Sequence, residues 1–209
     1  PINSHDTPIL VTDLETAELI KYAANAFLAT KISFINEVSM LCEAVGADVQ
    51  LVAQGMGMDA RIGAKFLRPG PGYGGSCFPK DTQAYVRMAQ EYGAGSRIVE
   101  SVIEVNSAQK ARMIQKIRSA LGGSEFGKTL GVLGLTFKPE TDDMREAPAM
   151  SILPPLIEKG AMVRAHDPQG MSEAQVVLPR KVHYCEGAYE VCEGADAVSY
   201  THLTLPTKA

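Results

Sequence analysis

Between Gly70 and Asp81 the chain reads Gly-Pro-Gly-Tyr-Gly-Gly-Ser-Cys-Phe-Pro-Lys-Asp, one cysteine set between a glycine-rich loop and a helix opened by proline. Pro79 suits the first turn of a helix, where its missing N–H leaves no bond unmade. The spacing of Ala84, Tyr85, Met88, Ala89 and Tyr92 predicts an amphipathic helix over 81–92. Cys77 therefore stands just ahead of a helix N-terminus. Unpaired N–H groups and the positive end of the helix dipole favour a thiolate there, and Lys80 adds a nearby cation. The glycines before it, Gly74 among them, leave the backbone open to a ligand. A structural cysteine buried behind a flexible loop is the alternative, but the flanking chemistry favours a nucleophile.

A second constellation lies upstream. Thr12 and Glu15 have the spacing of a capping box and open a helix that runs to about Val45 after an expected strand end at Pro8 to Val11. From Leu14 to Leu41 this helix carries apolar or small residues nearly all the way round, the pattern of a helix buried in a domain or a subunit interface. Lys21 and Asn25 stand four apart and share one face of it. From spacing alone the two can act together on that face, or Lys21 can snorkel to solvent while Asn25 makes an ordinary helix contact. Further helices are expected over 48–56 and 96–121, ending at Gly122-Gly123-Ser124.

Beyond that break the pattern changes. A strand over 128–133, a polar loop over 134–144, a helix over 147–158 and a strand over 161–165 form a βαβ unit, continued by short segments near Val182, 188–192 and 195–198. The fold class is α/β overall: a helical part, then a truncated Rossmann-like sheet. Gly131 and Gly134 suggest a dinucleotide turn, but the third glycine is missing and Asp167 comes late. Lys138 and Arg145 flank the loop after the first strand, where an anionic phosphate could bind or where both could be solvated charges.

Composition bounds the setting. With 209 residues, 45% of them hydrophobic, and a formal net charge of −4, the chain suits a globular protein with a sizeable core and no general basic surface for nucleic acid. No apolar run reaches the length of a membrane span and the first residues lack a signal-peptide pattern, so a cytoplasmic location is expected. Cysteines 42, 77, 185 and 192 form no C-x-x-C pair, and no metal site is expected.

Lys21 to Ala29, Ile32 to Glu37, Gly57 to Gly63, Gly74 to Asp81 and Gly134 to Lys138 together resemble the UDP-glucose 6-dehydrogenases of the UDP-glucose/GDP-mannose dehydrogenase family. The resemblance covers nearly everything from Thr12 to Val198. It implies oxidation of the C6 alcohol of UDP-glucose to the acid of UDP-glucuronate by two hydride transfers to NAD, through a thioester on Cys77. On the same basis Lys21 and Asn25 face the C6 oxygen and Asp81 serves thioester hydrolysis. Phe66, Tyr73, Gly74, Lys80, Phe137 and Lys138 surround the nucleotide sugar, Arg61 reaches it across a homodimer contact through the central helix, and Arg145 lies by the cofactor.

The resemblance also implies a division. Residues 1–123 would form the central helical domain, with 1–11 left from a preceding domain, and 124–198 a truncated UDP-binding domain. The family's NAD-binding domain, with its own glycine fingerprint, is expected ahead of this stretch, so the chain reads as a fragment expected to be inactive alone. Residues 199–209 read as a tail without native pattern. Dehydrogenases of GDP-mannose or UDP-N-acetylmannosamine share the cysteine loop and stand as the nearest alternatives. A β-hydroxyacid dehydrogenase would need no thiol, and a dimerisation and nucleotide-binding module without turnover is the alternative from another class.

Overall fold

A computed structural model of the chain describes residues 8–201. Four helices come first: α1 (Leu14–Val45), α2 (Val49–Gly57), α3 (Phe78–Glu91) and α4 (Arg97–Ala120). The α/β part follows as β1 (Thr129–Leu133), α5 (Pro148–Glu158), β2 (Met162–His166), α6 (Met171–Val177), β3 (His183–Tyr184), α7 (Ala188–Cys192) and β4 (Ala197–Tyr200).

The start of α1 differs from the expected capping box. Asp13, not Thr12, is the N-cap: its carboxylate accepts the Thr16 N–H at 2.7 Å, and the Thr12 hydroxyl turns to that same carboxylate. Gly46 ends the helix in the left-handed region at φ 76°, returning its N–H to Cys42 O. The expected strand end at Pro8 to Val11 does not form. Among the described residues no neighbouring strand pairs with it, and Ile9, Leu10 and Val11 are exposed.

The all-round apolar pattern of α1 divides into two faces. Asn25, Ala26, Ala29, Ser33, Asn36 and Ser39 are buried, and these mostly small side chains let α3 and α4 approach closely. Ile20, Phe27, Phe34 and Leu41, each seven residues apart, lie on the surface of the single chain, Phe27 66% exposed. α4 ties the two parts together. Val102 packs with Ala29 and Tyr73, while Ile117 and Leu121 join the sheet core of Leu130, Val132, Leu153, Leu156 and Val163.

The sheet is parallel with strand order β3-β2-β1-β4. The order reverses between β1 and β4, so the loops leaving their C-terminal ends border a crevice, the usual ligand position in such sheets. β4 runs through Tyr200, with Val132 opposite Ser199 and Leu133 opposite Tyr200. Thr201 then donates its N–H to Leu133 O at 3.1 Å. The boundary expected at 198 therefore falls inside a strand. The remainder of the expected tail, 202–209, lies outside the described residues.

Asp167, 1% exposed, organises the far end of β1. Burial pushes its carboxyl up, but the backbone N–H groups of Leu135, Thr136, Gln169 and Gly170 outweigh this and hold it below the ordinary value of 3.8. Asp167→Ala strands those donors in the interior and is expected to cost about 3 kcal/mol or more in urea unfolding. A folded pKa below the unfolded one stabilises above the unfolded value and stops doing so as pH falls through the folded value. The gap between wild type and Asp167→Ala should therefore be full near neutrality and narrow below 3.8. A gap independent of pH would contradict this account of the carboxylate.

Candidate active site

α3 begins at Phe78, three residues before the periodic pattern, with Pro79 in its first turn. Cys77 is the N-cap itself, its thiol exposed and its carbonyl accepting the Asp81 N–H at 2.8 Å. The Phe78 and Lys80 N–H groups, lacking intrahelical acceptors, lie at this end of the helix, and the Ser76 hydroxyl is 3.7 Å from the sulfur. One turn on, Asp81 is 4% exposed and accepts a 2.5 Å hydrogen bond from Asn25 Nδ2 of α1, itself 7% exposed. Lys80 Nζ stands 3.8 Å from the other carboxylate oxygen, a long ion pair between an exposed ammonium and a buried carboxylate. The structure thus brings Cys77, Lys80, Asp81 and Asn25 together around the first turn of α3.

Three buried amides hold the loop ahead of the cysteine. Asn36 Oδ1 accepts the Gly70 N–H at 2.8 Å and Gln109 Nε2 donates to Gly70 O at 2.7 Å. Asn106 accepts the Tyr73 N–H at 2.7 Å and donates back to Tyr73 O at 3.2 Å. The sequence reading missed Asn106 and Gln109 as supports. Their signal was a pair of amides three apart on α4, hence on one helical face.

The other side of the loop lies against residues 134–147. The Gly75 N–H donates to Arg145 O at 2.8 Å, and a Cβ on Gly74 would sit 2.1 Å from Glu146 O. Gly75, at φ 84°, lies under the Phe137 ring, which a Cβ would meet at 2.7 Å. Gly74 is required for closeness, and Gly75 for both closeness and its positive φ.

Between loop and sheet edge opens a cleft of about 290 Å³. Phe66, Tyr73, Gly74 and Phe78 line one side, Phe137 and Lys138 the other, with Thr201 after β4 closing the end at the switch in strand order. Phe78 packs edge-on against both Phe66 and Tyr73, with centroids 6.0 Å apart in each pair. Phe66 holds φ 65°, rare for a bulky side chain and a sign of strain held at the site. Lys138 Nζ lies 5.2 Å from the Phe137 ring centroid. Arg68 also lines the cleft, a second cation that the sequence reading did not single out. Aromatic walls with cations at the rim suit a flat ring carrying phosphates.

Of the expected residues, Asn25, Cys77, Lys80 and Asp81 gather at the first turn of α3 and are not among those lining the cleft, while Lys21, Arg61 and Arg145 belong to neither group. Lys21 is exposed on α1, one turn before Asn25. Arg61 is clamped on Asp59 at 2.6 Å with an 89% exposed side chain. Arg145 grips Asp143 at 2.8 Å. The hydrogen-bonded Asp143 carboxylate holds the Arg145 guanidinium above its ordinary pKa.

Residues 15–108 match the pattern described as "UDP-glucose/GDP-mannose dehydrogenase family, central domain", and residues 131–202 the same family's "UDP binding domain". The chain belongs to the UDP-glucose/GDP-mannose dehydrogenase family. It is 54% identical to a UDP-glucose 6-dehydrogenase of Bacillus subtilis (strain 168) over 191 residues, covering 91% of this chain and 43% of that protein. A UDP-glucose 6-dehydrogenase of Rhizobium meliloti (strain 1021) is 50% identical, over 95% of this chain and 45% of its own length. The UDP-glucose dehydrogenase structure from Pyrobaculum islandicum aligns with TM-score 0.90 and 42% identity, over 94% of this chain and 45% of that one. The chain thus spans less than half the length of these relatives. They are oxidoreductases by name, and the family bears out the sequence resemblance. Among the described residues no helix is long and apolar enough to cross a membrane.

Proposed function

We propose that this chain supplies the thiol and the nucleotide-sugar cleft of a UDP-glucose 6-dehydrogenase, which oxidises the C6 alcohol of UDP-glucose to the carboxylate of UDP-glucuronate. The observation that carries the reading is Cys77, exposed at the N-terminus of α3 beside the buried Asn25–Asp81 pair. The UDP moiety occupies the cleft, against Phe66, Tyr73, Gly74 and Phe137, with Lys138 and Lys80 on its phosphates or sugar. The residue division proposed is a central domain to about residue 123 and a UDP-binding domain after it.

The chemistry at the sulfur follows from this placement. Once C6 is an aldehyde, the Cys77 thiolate forms a C–S bond to its carbon and the carbonyl electrons move to oxygen. Asn25 and the Lys21 ammonium stabilise that oxyanion. Oxidation of the adduct leaves a thioester. Asp81 orients water and takes its proton, the C–S bond breaks, and thiolate leaves with the acid formed. NAD, when bound, accepts the hydrides of the two oxidations.

The described residues fit this cofactor poorly. The Leu135 and Thr136 N–H groups after β1, where a pyrophosphate would rest, are already taken by Asp167. Among the described residues Arg145 is the one assigned to its phosphates, so the part proposed for this chain is the sugar, the thiol and the water.

Arg61, outside the cleft, is assigned to the substrate of a second copy in a homodimer. The exposed Ile20, Phe27, Phe34 and Leu41 stripe of α1 supports that dimer contact. Four free cysteines suit a reducing compartment, and we place the enzyme in the cytoplasm.

Glucose is favoured among the sugars by similarity. Identity is 42% to the Pyrobaculum islandicum enzyme but 30% to an NDP-N-acetyl-D-galactosaminuronic acid dehydrogenase structure from Methanosarcina mazei Go1, with TM-scores of 0.90 and 0.75. The full-length enzyme, assayed on UDP-glucose, GDP-mannose and UDP-N-acetylmannosamine, is expected to favour UDP-glucose in kcat/KM by about tenfold or more. A preference for either other sugar would reassign the substrate.

A further inference from the structure

Away from the cleft, three donor-bearing side chains converge where β3 meets α7. His183 opens β3 and Cys185 follows its last residue, so the two alternate past Tyr184 onto one face of the sheet. Glu190 lies on α7, which packs against β1 and β2. One donor atom from each of the three lies within 4.8 Å of the others.

The backbone here is well fixed. The Cys185 N–H donates to Ala165 O at 2.9 Å, its carbonyl meets His166 Nδ1 at 3.0 Å, and its side chain packs beside Leu133 and Val191 with 1% exposure. Glu190 is steered over the turn by the Glu186 N–H, which bonds Oε2 at 2.9 Å and leaves Oε1 available. Among the described residues neither the His183 ring nor the Cys185 thiol has a hydrogen bond or ion pair.

We propose that His183, Cys185 and Glu190 bind a thiophilic divalent cation of the zinc class, with the fourth position open to water. Imidazole, thiolate and carboxylate are the donors such an ion takes, and in a tetrahedral site they stand about 3.5 Å apart. The sulfur is the fixed point. His183 and Glu190 are exposed and close the remaining distance by rotating side chains alone. As the metal–sulfur bond forms, the thiol proton leaves to solvent. The ordinary alternative is a cysteine packed as a small apolar side chain beneath a glutamate that caps the turn.

Cobalt(II) titration of the full chain tests the site. The Cys77→Ser background removes the exposed thiol as a competing ligand. One equivalent is expected to raise a thiolate-to-cobalt charge-transfer band, and zinc should displace it. Cys185→Ser should abolish the band, and Cys192→Ser should retain it. His183→Ala and Glu190→Ala change exposed side chains, so the fold should survive, and each is expected to weaken zinc at least about tenfold against a chromophoric chelator. Absence of the band, its loss with Cys192→Ser alone, or unchanged zinc affinity in both exposed variants would overturn the proposal.

Discussion

Cys77→Ser in the full-length enzyme is expected to lower the formation of UDP-glucuronate by roughly ten-thousandfold or more, the scale of losing a catalytic nucleophile. The substitution separates chemistry from architecture. Serine is among the best N-cap residues, so the start of α3 should be kept or slightly strengthened. A hydroxyl has no accessible anion at neutral pH without a strong base beside it, and the sulfur's ability to add to a carbonyl is lost. Steady-state NADH production together with a thermal melt reads both sides. An unchanged melt with almost no acid formed is the predicted pair of results. A rate within tenfold of wild type would leave Cys77 as no more than a cap.

Gly74→Ala is expected to destabilise the chain by about 3 kcal/mol or more, because the added methyl has nowhere to go. Its position lies 2.1 Å from Glu146 O and 3.2 Å from Ala147 Cα, backbone atoms that no side-chain rotation can move aside. Relief requires the loop to part from residues 145–147, breaking the Gly75 to Arg145 bond and opening the cleft wall. Gly70→Ala is the control, since a Cβ there meets nothing within 4 Å. It should stay within about 0.5 kcal/mol of wild type in urea unfolding. Equal losses at the two positions would mean that the loop and the 134–147 segment do not pack as described.

What could be read in advance divides along sequence distance. The start of α3 was legible because proline, an amphipathic repeat and a cysteine at the cap are signals within a dozen residues. The parallel sheet was legible in the alternation after Gly123. The Asn25 to Asp81 bond spans 56 residues, so helical spacing could put Asn25 on a face but could not name its partner. The Gly74 contact with Glu146 and the amides on Gly70 and Tyr73 likewise depend on tertiary packing.

At α1 periodicity could not separate a domain core from a subunit interface: mostly small residues and Ile35 face inward, while Ile20, Phe27, Phe34 and Leu41 lie on the surface of the single chain. The end of β4 was missed because Ser199 and Tyr200 become strand only through their ladder to β1.

The central claim is that the acid is made while bound to Cys77. Its most direct measurement uses the full-length Asp81→Asn enzyme, in which the amide can still accept from Asn25 but cannot take a proton from water. After reaction with UDP-glucose and NAD and an acid quench, peptide mass spectrometry should find a UDP-glucuronyl thioester on the Cys77 peptide, removed by hydroxylamine. UDP-glucuronate formed with no adduct at Cys77, or an adduct confined to Cys42, Cys185 or Cys192, would contradict the account.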